Sequence, residues 1–248
     1  MAFLTGPAVL SDIDLYESSA TRVGGLYVGQ SVFGTNGDRF NYSLVGASAL
    51  VMGNLLQNAA DDTTYTNMAV GTAGAVGDRF LQITNGTATI TSQQFEGGKI
   101  GVYTAGTVAV GDQYTILGVS GTLTTGGALT VAIDRPLRYA FTTSAKVVMS
   151  RNPWSGVIQA PATTQTGIPV GVAVAPSTAE QYAFVQTGGV ATVLSDGSTF
   201  AIGSNVGTVS GTAGAITVYD AATTLACVGV AMKVAASGKG IPVLLQIQ

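Results

Sequence analysis

The residues of this chain best suited to chemistry are two pairs of carboxylates, Asp12 with Asp14 and Asp61 with Asp62. Two neighbouring carboxyl groups can divide acid and base roles between them, or supply oxygen ligands to calcium. Neither pair belongs to the spaced series of ligands that a calcium loop needs. Aspartates in polar, Thr-rich stretches usually form hydrated turns. We therefore interpret both pairs as turns and not as an active site.

Other sets of catalytic residues are missing from the sequence. The chain contains no histidine, which removes the commonest general base, the Ser-His and Cys-His nucleophile systems and most zinc sites. Cys227 is the single cysteine and lies in an apolar stretch, so we predict a small buried side chain with no disulfide or metal partner. The glycine-rich phosphate-binding motifs do not occur either. We expect no enzymatic activity and no cofactor.

The segment from Arg151 to Trp154 contains the only tryptophan of the chain. Arginine and tryptophan are enriched among the residues that dominate protein interfaces, so this segment could anchor the chain to a partner. Alternatively, Trp154 caps a hydrophobic core where two domains join. Four further aromatic or apolar residues are candidates for contact with a partner: Phe3, Leu4, Tyr182 and Phe184.

Composition favours association with other chains. Charged residues make up only 9% of the sequence, against about 25% in an average protein. Thr, Ser, Ala and Gly must then cover much of the surface, and these side chains lose little entropy when another chain covers them. A monomer with an unusually neutral surface is the alternative. The net charge of −3 argues against nucleic-acid binding through phosphates.

Signals for secretion and membrane insertion are also missing. The first basic residue is Arg22, so the basic start of a secretory signal is absent. No apolar run approaches the ~20 residues that a membrane-spanning helix needs. We expect no membrane partner.

The stretch from Ile168 to Leu194 carries the clearest strand pattern. Val170, Val172 and Val174 alternate with other residues, which predicts that they share one face of a strand. A second alternating run reaches Gly188-Gly189, and glycine supplies the positive φ of a tight hairpin. We predict two strands joined by a corner at this glycine pair.

Two glycine patterns recur along the chain at irregular spacing. The first is a Gly-Asp turn that leads into a polar residue and an aromatic one, and it starts at Gly37, Gly77 and Gly111. The second is a glycine that precedes a short alternating run, at Gly86, Gly127, Gly189 and Gly214. Irregular spacing indicates repeated hairpins rather than a solenoid. The sequence predicts an all-β fold of short Gly/Thr-rich strands, in β-barrel or β-sandwich units, with little helix.

The stretch from Leu44 to Ala60 is ambiguous. Its apolar residues fit one face of a helix, but Gly46 and Gly53 would each weaken that helix by about 1 kcal/mol. We therefore predict strand and turn there.

Shifts in composition suggest four segments. Residues 1–30 are predicted to form an N-terminal arm, with a short helix beginning at Ser11 and docking on this chain or on a neighbour. Residues 31–150 form a β-rich domain, and residues 151–169 form a connector because three prolines punctuate them. Residues 170–248 form a C-terminal β domain.

Parts of residues 145–235 resemble a known class of protein. The sequences Asn152-Pro-Trp-Ser-Gly-Val-Ile-Gln-Ala-Pro-Ala-Thr-Thr164, Ile168-Pro-Val-Gly-Val172, Tyr182-Ala-Phe-Val-Gln-Thr-Gly-Gly-Val-Ala-Thr-Val-Leu194 and Val228-Gly-Val-Ala-Met232 look like virion structural proteins of tailed bacteriophages. The likeness is greatest to head decoration, or cement, proteins. It lies in framework strands, so no contact residue is carried over.

The resemblance implies a β-rich protein made in the host cytoplasm and located on the exterior of the virion capsid. It implies the major capsid protein as partner, self-association as a homotrimer or another small oligomer, and stabilisation of the head. A phage fibre or spike for host recognition is the main alternative. A polysaccharide depolymerase is a third, and it would need two acidic residues about 5 to 10 Å apart in a cleft.

Overall fold

The regular secondary structure of the described residues is almost entirely β-strand. The computed structural model describes residues 8–9, 15–34, 36–60, 62–86, 89–91, 93–104, 110–208, 211–220, 226–234 and 238–247. The strands are β1 Ala8–Val9, β2 Ser31–Phe33, β3 Arg39–Val45, β4 Leu55–Gln57, β5 Met68–Ala69, β6 Phe80–Thr84, β7 Lys99–Thr104, β8 Gln113–Gly121, β9 Ala128–Ile133, β10 Lys146–Ser150, β11 Ser155–Gln159, β12 Pro169–Ala173, β13 Tyr182–Leu194, β14 Asn205–Thr208, β15 Ile216–Val218, β16 Cys227–Ala231 and β17 Gly240–Gln246. A short 3-10 turn, Thr63–Tyr65, accompanies them. The predicted all-β class with little helix is confirmed.

The chain divides into two units, and the division corrects the predicted domain boundaries. The first unit combines Met1–Ala60 with Pro153–Gln248, and the second is Asp61–Asn152. The predicted domain of residues 31–150 is therefore split, because β3 and β4 pair with strands that follow residue 153. The predicted connector 151–169 supplies β11, which lies between β3 and β4. Such long-range pairing leaves no trace in local composition.

Five strands of the first unit close into a barrel. The order β3–β11–β4–β12–β13 returns to β3 through a β3–β13 pairing, and β11 runs parallel to β3 and antiparallel to β4. Apolar residues from all five strands fill the barrel, as expected for so small a barrel. These residues, with Leu50, are Val45, Leu56, Val157, Val170, Ala173, Ala183 and Val185.

The predicted hairpin at Gly188-Gly189 is wrong, because Tyr182–Leu194 forms one continuous strand. Residues 182–188 of β13 pair with β3, and residues 188–194 pair with β17. The register shifts between Gln186 and Gly188, and Gly189 has a φ of 84°. A Cβ at Gly189 would collide with Asp38 Oδ1. The glycines here provide a bulge where β13 changes partner, not a reversal of the chain.

The prediction that Val170 and Val172 share a face is also wrong. The register of β12 against β4 shifts between Pro169 and Gly171, where Gly171 has a φ of 149°. This bulge directs Val170 into the barrel and Val172 into a different core. The alternation of valines is therefore interrupted within the strand.

Beyond the barrel, β13 continues into an extended sheet with the order β13–β17–β16–β14–β15. One face of this sheet packs on a second core, made of Leu55, Ala160, Val172, Ala191, Val193, Phe200, Val206, Ile216, Val228, Ala231, Ile241, Val243, Leu245 and Ile247. The apolar residues of β17 alternate strictly, with Ile241, Val243 and Leu245 buried and Leu244 exposed. The opposite face of the sheet is therefore presented to the outside.

The second unit is a sheet with the order β5–β10–β7–β8–β9–β6. A bridge between Val70 and Ile83 joins its two end strands. Its core is a single cluster made of Tyr65, Met68, Val70, Leu81, Ile83, Ile90, Phe95, Ile100, Val102, Tyr114, Ile116, Val119, Leu129, Val131, Ile133, Leu137, Phe141, Ala145, Val147 and Met149. The unit thus has a core of its own.

Three local predictions have different outcomes. The stretch 44–60 forms the end of β3, a turn and β4, as predicted. Cys227 is exposed rather than buried, because β16 bulges against β14 beside it. The predicted helix start at Ser11 lies outside the described residues.

No helix in the described ranges is long and apolar enough to cross a membrane.

Candidate interaction surface

An aromatic cluster on the outside of the barrel is the basis of the candidate surface. Tyr42 of β3 is buried and stacks on Tyr182, with ring centroids 5.6 Å apart and planes at 9°. Phe184 packs at 5.1 Å from the same ring. Tyr182 and Phe184 are alternate residues of β13, so both lie on the face opposite to Ala183 and Val185, which fill the barrel.

Residues 15–30 cover this cluster and attach to it through backbone hydrogen bonds. Ser19 and Tyr182 exchange two such bonds, of 2.9 and 2.8 Å. Val23 N donates to the Tyr42 hydroxyl at 2.8 Å. Burial raises the pKa of Tyr42, against the opposing effect of the Val23 N–H. The described part of the predicted arm therefore docks on its own chain.

Accessible side chains of the covering segment, together with Tyr182 of β13, form what we call the aromatic patch: Tyr16, Arg22, Val23, Tyr27 and Tyr182. Tyr16 and Tyr27 are each 50% exposed and Val23 is 42% exposed. The Arg22 guanidinium carbon lies 5.7 Å from the Tyr182 ring centroid, a cation–π contact. Tyr16 packs edge-on against buried Phe40 at 6.5 Å. The patch thus combines exposed rings with a rigid support.

The residues singled out from the sequence have different positions. Tyr182 is half-buried within the aromatic patch, whereas Phe184 is only 3% exposed, so a partner cannot reach it. Trp154 is half-buried against the barrel core, and Arg151 belongs to the second unit. Phe3 and Leu4 lie outside the described residues.

The position of Trp154 favours the capping interpretation over the anchoring one. The Asn41 amide oxygen accepts a hydrogen bond from Trp154 Nε1 at 3.3 Å, in the orientation that also lets the amide nitrogen donate to Ser31 Oγ at 3.2 Å. Trp154 thereby closes the barrel core while its indole N–H is hydrogen-bonded to Asn41.

Sequence reasoning missed four members of the patch: Tyr16, Arg22, Val23 and Tyr27. Two tyrosines and an arginine within so short a stretch were a usable signal. The docking of this stretch on β3 and β13, which supports the rings, depends on contacts that are remote in sequence.

The second unit contains a buried carboxylate, Asp112, whose side chain is 4% exposed. Arg138 donates to its Oδ1 from Nε at 3.1 Å and also from Nη2, and the Tyr114 hydroxyl donates to Oδ2. The Arg135 guanidinium carbon lies 4.9 Å from the Tyr114 ring centroid. Burial pushes the pKa of Asp112 up, but these hydrogen bonds and the positive charges of both arginines hold it below its ordinary value. Both carboxylate oxygens are engaged within the chain, so this cluster is a structural clamp.

The predicted carboxylate turns are only partly described. Asp62 caps the Thr63–Tyr65 turn by accepting from the Thr64 hydroxyl at 2.7 Å and the Thr64 N–H at 3.0 Å. These bonds, the hydroxyl first, lower the pKa of Asp62. A turn is the structure that we predicted there. Asp12, Asp14 and Asp61 lie outside the described residues.

The first unit also has a depression of about 390 Å³. It lies where β3 and β17 separate along β13, and Arg39 crosses it to bond Thr187 Oγ1 at 3.0 Å and the Ile247 carbonyl. Arg39 thus ties the barrel to the extended sheet.

No group of three His, Cys, Asp or Glu residues within the described part of the chain is placed to hold a metal ion. Comparison with protein-family models, curated proteins and solved structures finds no match for this chain. What the protein does must therefore be inferred from its own surfaces.

Proposed function

We propose that this chain is a non-enzymatic bacteriophage virion protein that binds the capsid exterior and stabilises the head. The observation that carries the proposal is the aromatic patch. Exposed tyrosines beside an arginine have the composition of the residues that dominate protein–protein interfaces. The patch is therefore suited to bind another protein.

The support beneath the patch strengthens this argument. Tyr16 rests on Phe40, and Tyr182 rests on Tyr42, so these rings are held in place before a partner arrives. Preorganised side chains lose less conformational entropy on binding. An aromatic side chain can bury about 150–250 Å², and apolar burial contributes about 25 cal/mol per Å². A few such rings can supply much of the affinity of a capsid contact.

The resemblance in residues 145–235 directs the proposal to the major capsid protein. The segments that carry it include β13, which holds Tyr182 in the patch, and β16. The proposal also includes self-association of the chain as a homotrimer on the head. Neither part of it requires a catalytic group or a cofactor.

Binding to purified heads that lack the protein tests the role of the patch. We expect the double variant Tyr16→Ala, Tyr27→Ala to bind at least about tenfold more weakly, since two half-exposed rings would lose their interface contacts. The measurement is co-sedimentation of the protein with heads over a range of concentrations. The matched control is Tyr103→Ala, because Tyr103 is 51% exposed and lies in the second unit. Wild-type affinity in the double variant would remove the patch from the contact.

A further inference from the structure

No outward residue of the strands in the extended sheet is charged, although Asp38 accepts a hydrogen bond from the Val190 N–H at 3.2 Å and Lys233 directly follows Met232. We call these outward residues the neutral face: Val190, Thr192 and Leu194 of β13, Gly240, Pro242, Leu244 and Gln246 of β17, Val230 of β16, Met232 directly after β16, and Asn205 of β14. Strand register places Val190 beside Leu244, Leu244 beside Val230, and Val230 beside Asn205. An apolar row therefore crosses three neighbouring strands.

This row is accessible although the opposite face of the same strands is fully buried. Val190 is 46% exposed and Leu244 is 42% exposed, while Val193 and Val243 are 0% exposed. Met232 is also 42% exposed and donates its N–H to the Pro242 carbonyl, which places it beside the row. The outward face of the second unit's sheet also exposes Phe80 at 63%, on the same side of β6 as the polar Gln82.

We infer that the neutral face is a contact between copies of this chain, each copy covering the neutral face of another. A partner rich in charged side chains would have to remove most of them from water against uncharged residues, which is unfavourable, although Asp38 places one carboxylate beside Val190. The outward strand residues of a second copy are likewise uncharged and add no like-charge repulsion along the row, although each chain has a net charge of −3. The face therefore matches itself in charge.

The layout of the row also suits a symmetric contact. Leu244 lies in the middle, with Val190 on one side and Val230 on the other. A twofold axis through Leu244 would set Val190 of each copy against Val230 of the other. Three copies about a threefold axis would instead bring three Leu244 side chains toward a common core.

The area of the face sets the strength of this contact. Strands about 4.8 Å apart, with outward residues about 6.8 Å apart along each strand, give roughly 400 Å² per copy. Two copies would bury roughly 800 Å² in total, below the ~1,200–2,000 Å² of stable interfaces. Association through this face alone is therefore expected to be weak and to depend on protein concentration.

Analytical ultracentrifugation of the isolated full chain, over a wide range of concentrations, tests the inference without any capsid. We expect the wild type to form dimers or trimers as concentration rises. Leu244→Glu should weaken this association by about 100-fold or more, because a carboxylate would be buried without a partner. Leu117→Glu is the matched control, since Leu117 is 58% exposed in β8 of the second unit, and it should associate like the wild type.

A second variant keeps the test decisive if Leu244→Glu misfolds. Leu244→Cys in a Cys227→Ser background should form an intermolecular disulfide on mild oxidation, whereas Leu117→Cys in the same background should not.

A wild type that stays monomeric at every concentration would overturn the inference, as would association that Leu244→Glu leaves unchanged. A monomer whose Leu244→Glu variant melts at a lower temperature would also overturn it, because the face would then be covered by the same chain. The inference rests on the self-association part of the proposed function, and each of these results leaves binding to the capsid to its own test.

Discussion

At the scale of single residues, replacing Asp112 tests most directly what stabilises the second unit. Asp112→Asn keeps the shape of the side chain but removes the charge that Arg138 and Arg135 contact. We expect the free energy of unfolding to fall by about 1–3 kcal/mol. This is less than for a fully buried ion pair, because the arginine side chains are 59% and 48% exposed and water can solvate them. Chemical denaturation at neutral pH measures the change.

The pH dependence of this difference follows from the lowered pKa of Asp112. A carboxyl group whose pKa is lower in the folded state stabilises the protein above its unfolded pKa, near 3.9. That contribution is lost as the pH falls through the folded value. The gap between wild type and Asp112→Asn should therefore be full at neutral pH and shrink below about pH 4. Asp134→Asn is the control, as Asp134 is exposed, and a constant gap down to acid pH would contradict the account.

The clamp also shows what local sequence can and cannot predict about a site. The Gly111 pattern predicted a turn followed by an aromatic strand, and β8 begins there with Tyr114 buried. The pattern did not indicate that Asp112 would meet Arg138, because that pairing spans 26 residues and depends on how β9 returns. The turn was predictable from its own residues, and the ion pair was not.

At the scale of elements, Gly189 is the position where β13 moves from the barrel to the extended sheet. Gly189→Ala should lower the free energy of unfolding by about 2–4 kcal/mol, since a φ of 84° costs an L-residue about 1–2 kcal/mol and the new Cβ would also meet Asp38. Gly203→Ala is a matched control, with a φ of 87° and nothing within 4 Å of the added Cβ. Thermal unfolding should show a larger loss for Gly189→Ala. Equal losses would mean that the crowding at Asp38 is unimportant.

The glycine patterns predicted where strands lie better than they predicted which strands pair with each other. The Gly-Asp pattern leads into β3, β6 and β8, as expected. The second pattern precedes β9 and β15 but lies inside β13, and residues 86 and 89–90 form no strand. A glycine with positive φ serves a turn or a bulge equally well, so the pairing of remote strands decides which one forms.

At the scale of the whole molecule, the all-β class was predictable because composition and alternation extend along the entire chain. The two units were not, because the second unit interrupts the first between β4 and β11. The interaction surfaces were likewise only partly predictable. The low charge indicated faces for other chains, but only the folded chain brings Tyr16 onto Phe40, Tyr182 onto Tyr42, and Val190 beside Leu244.

The resistance of phage heads to heat and osmotic shock tests the central claim most directly. Heads assembled without this protein should lose their DNA at a lower temperature and after milder shock than complete heads. Purified protein added back should restore both, because added contacts between capsid subunits stabilise the assembled state. Equal resistance with and without the protein would contradict the proposed function, and binding of the protein to host cells instead would favour the fibre alternative.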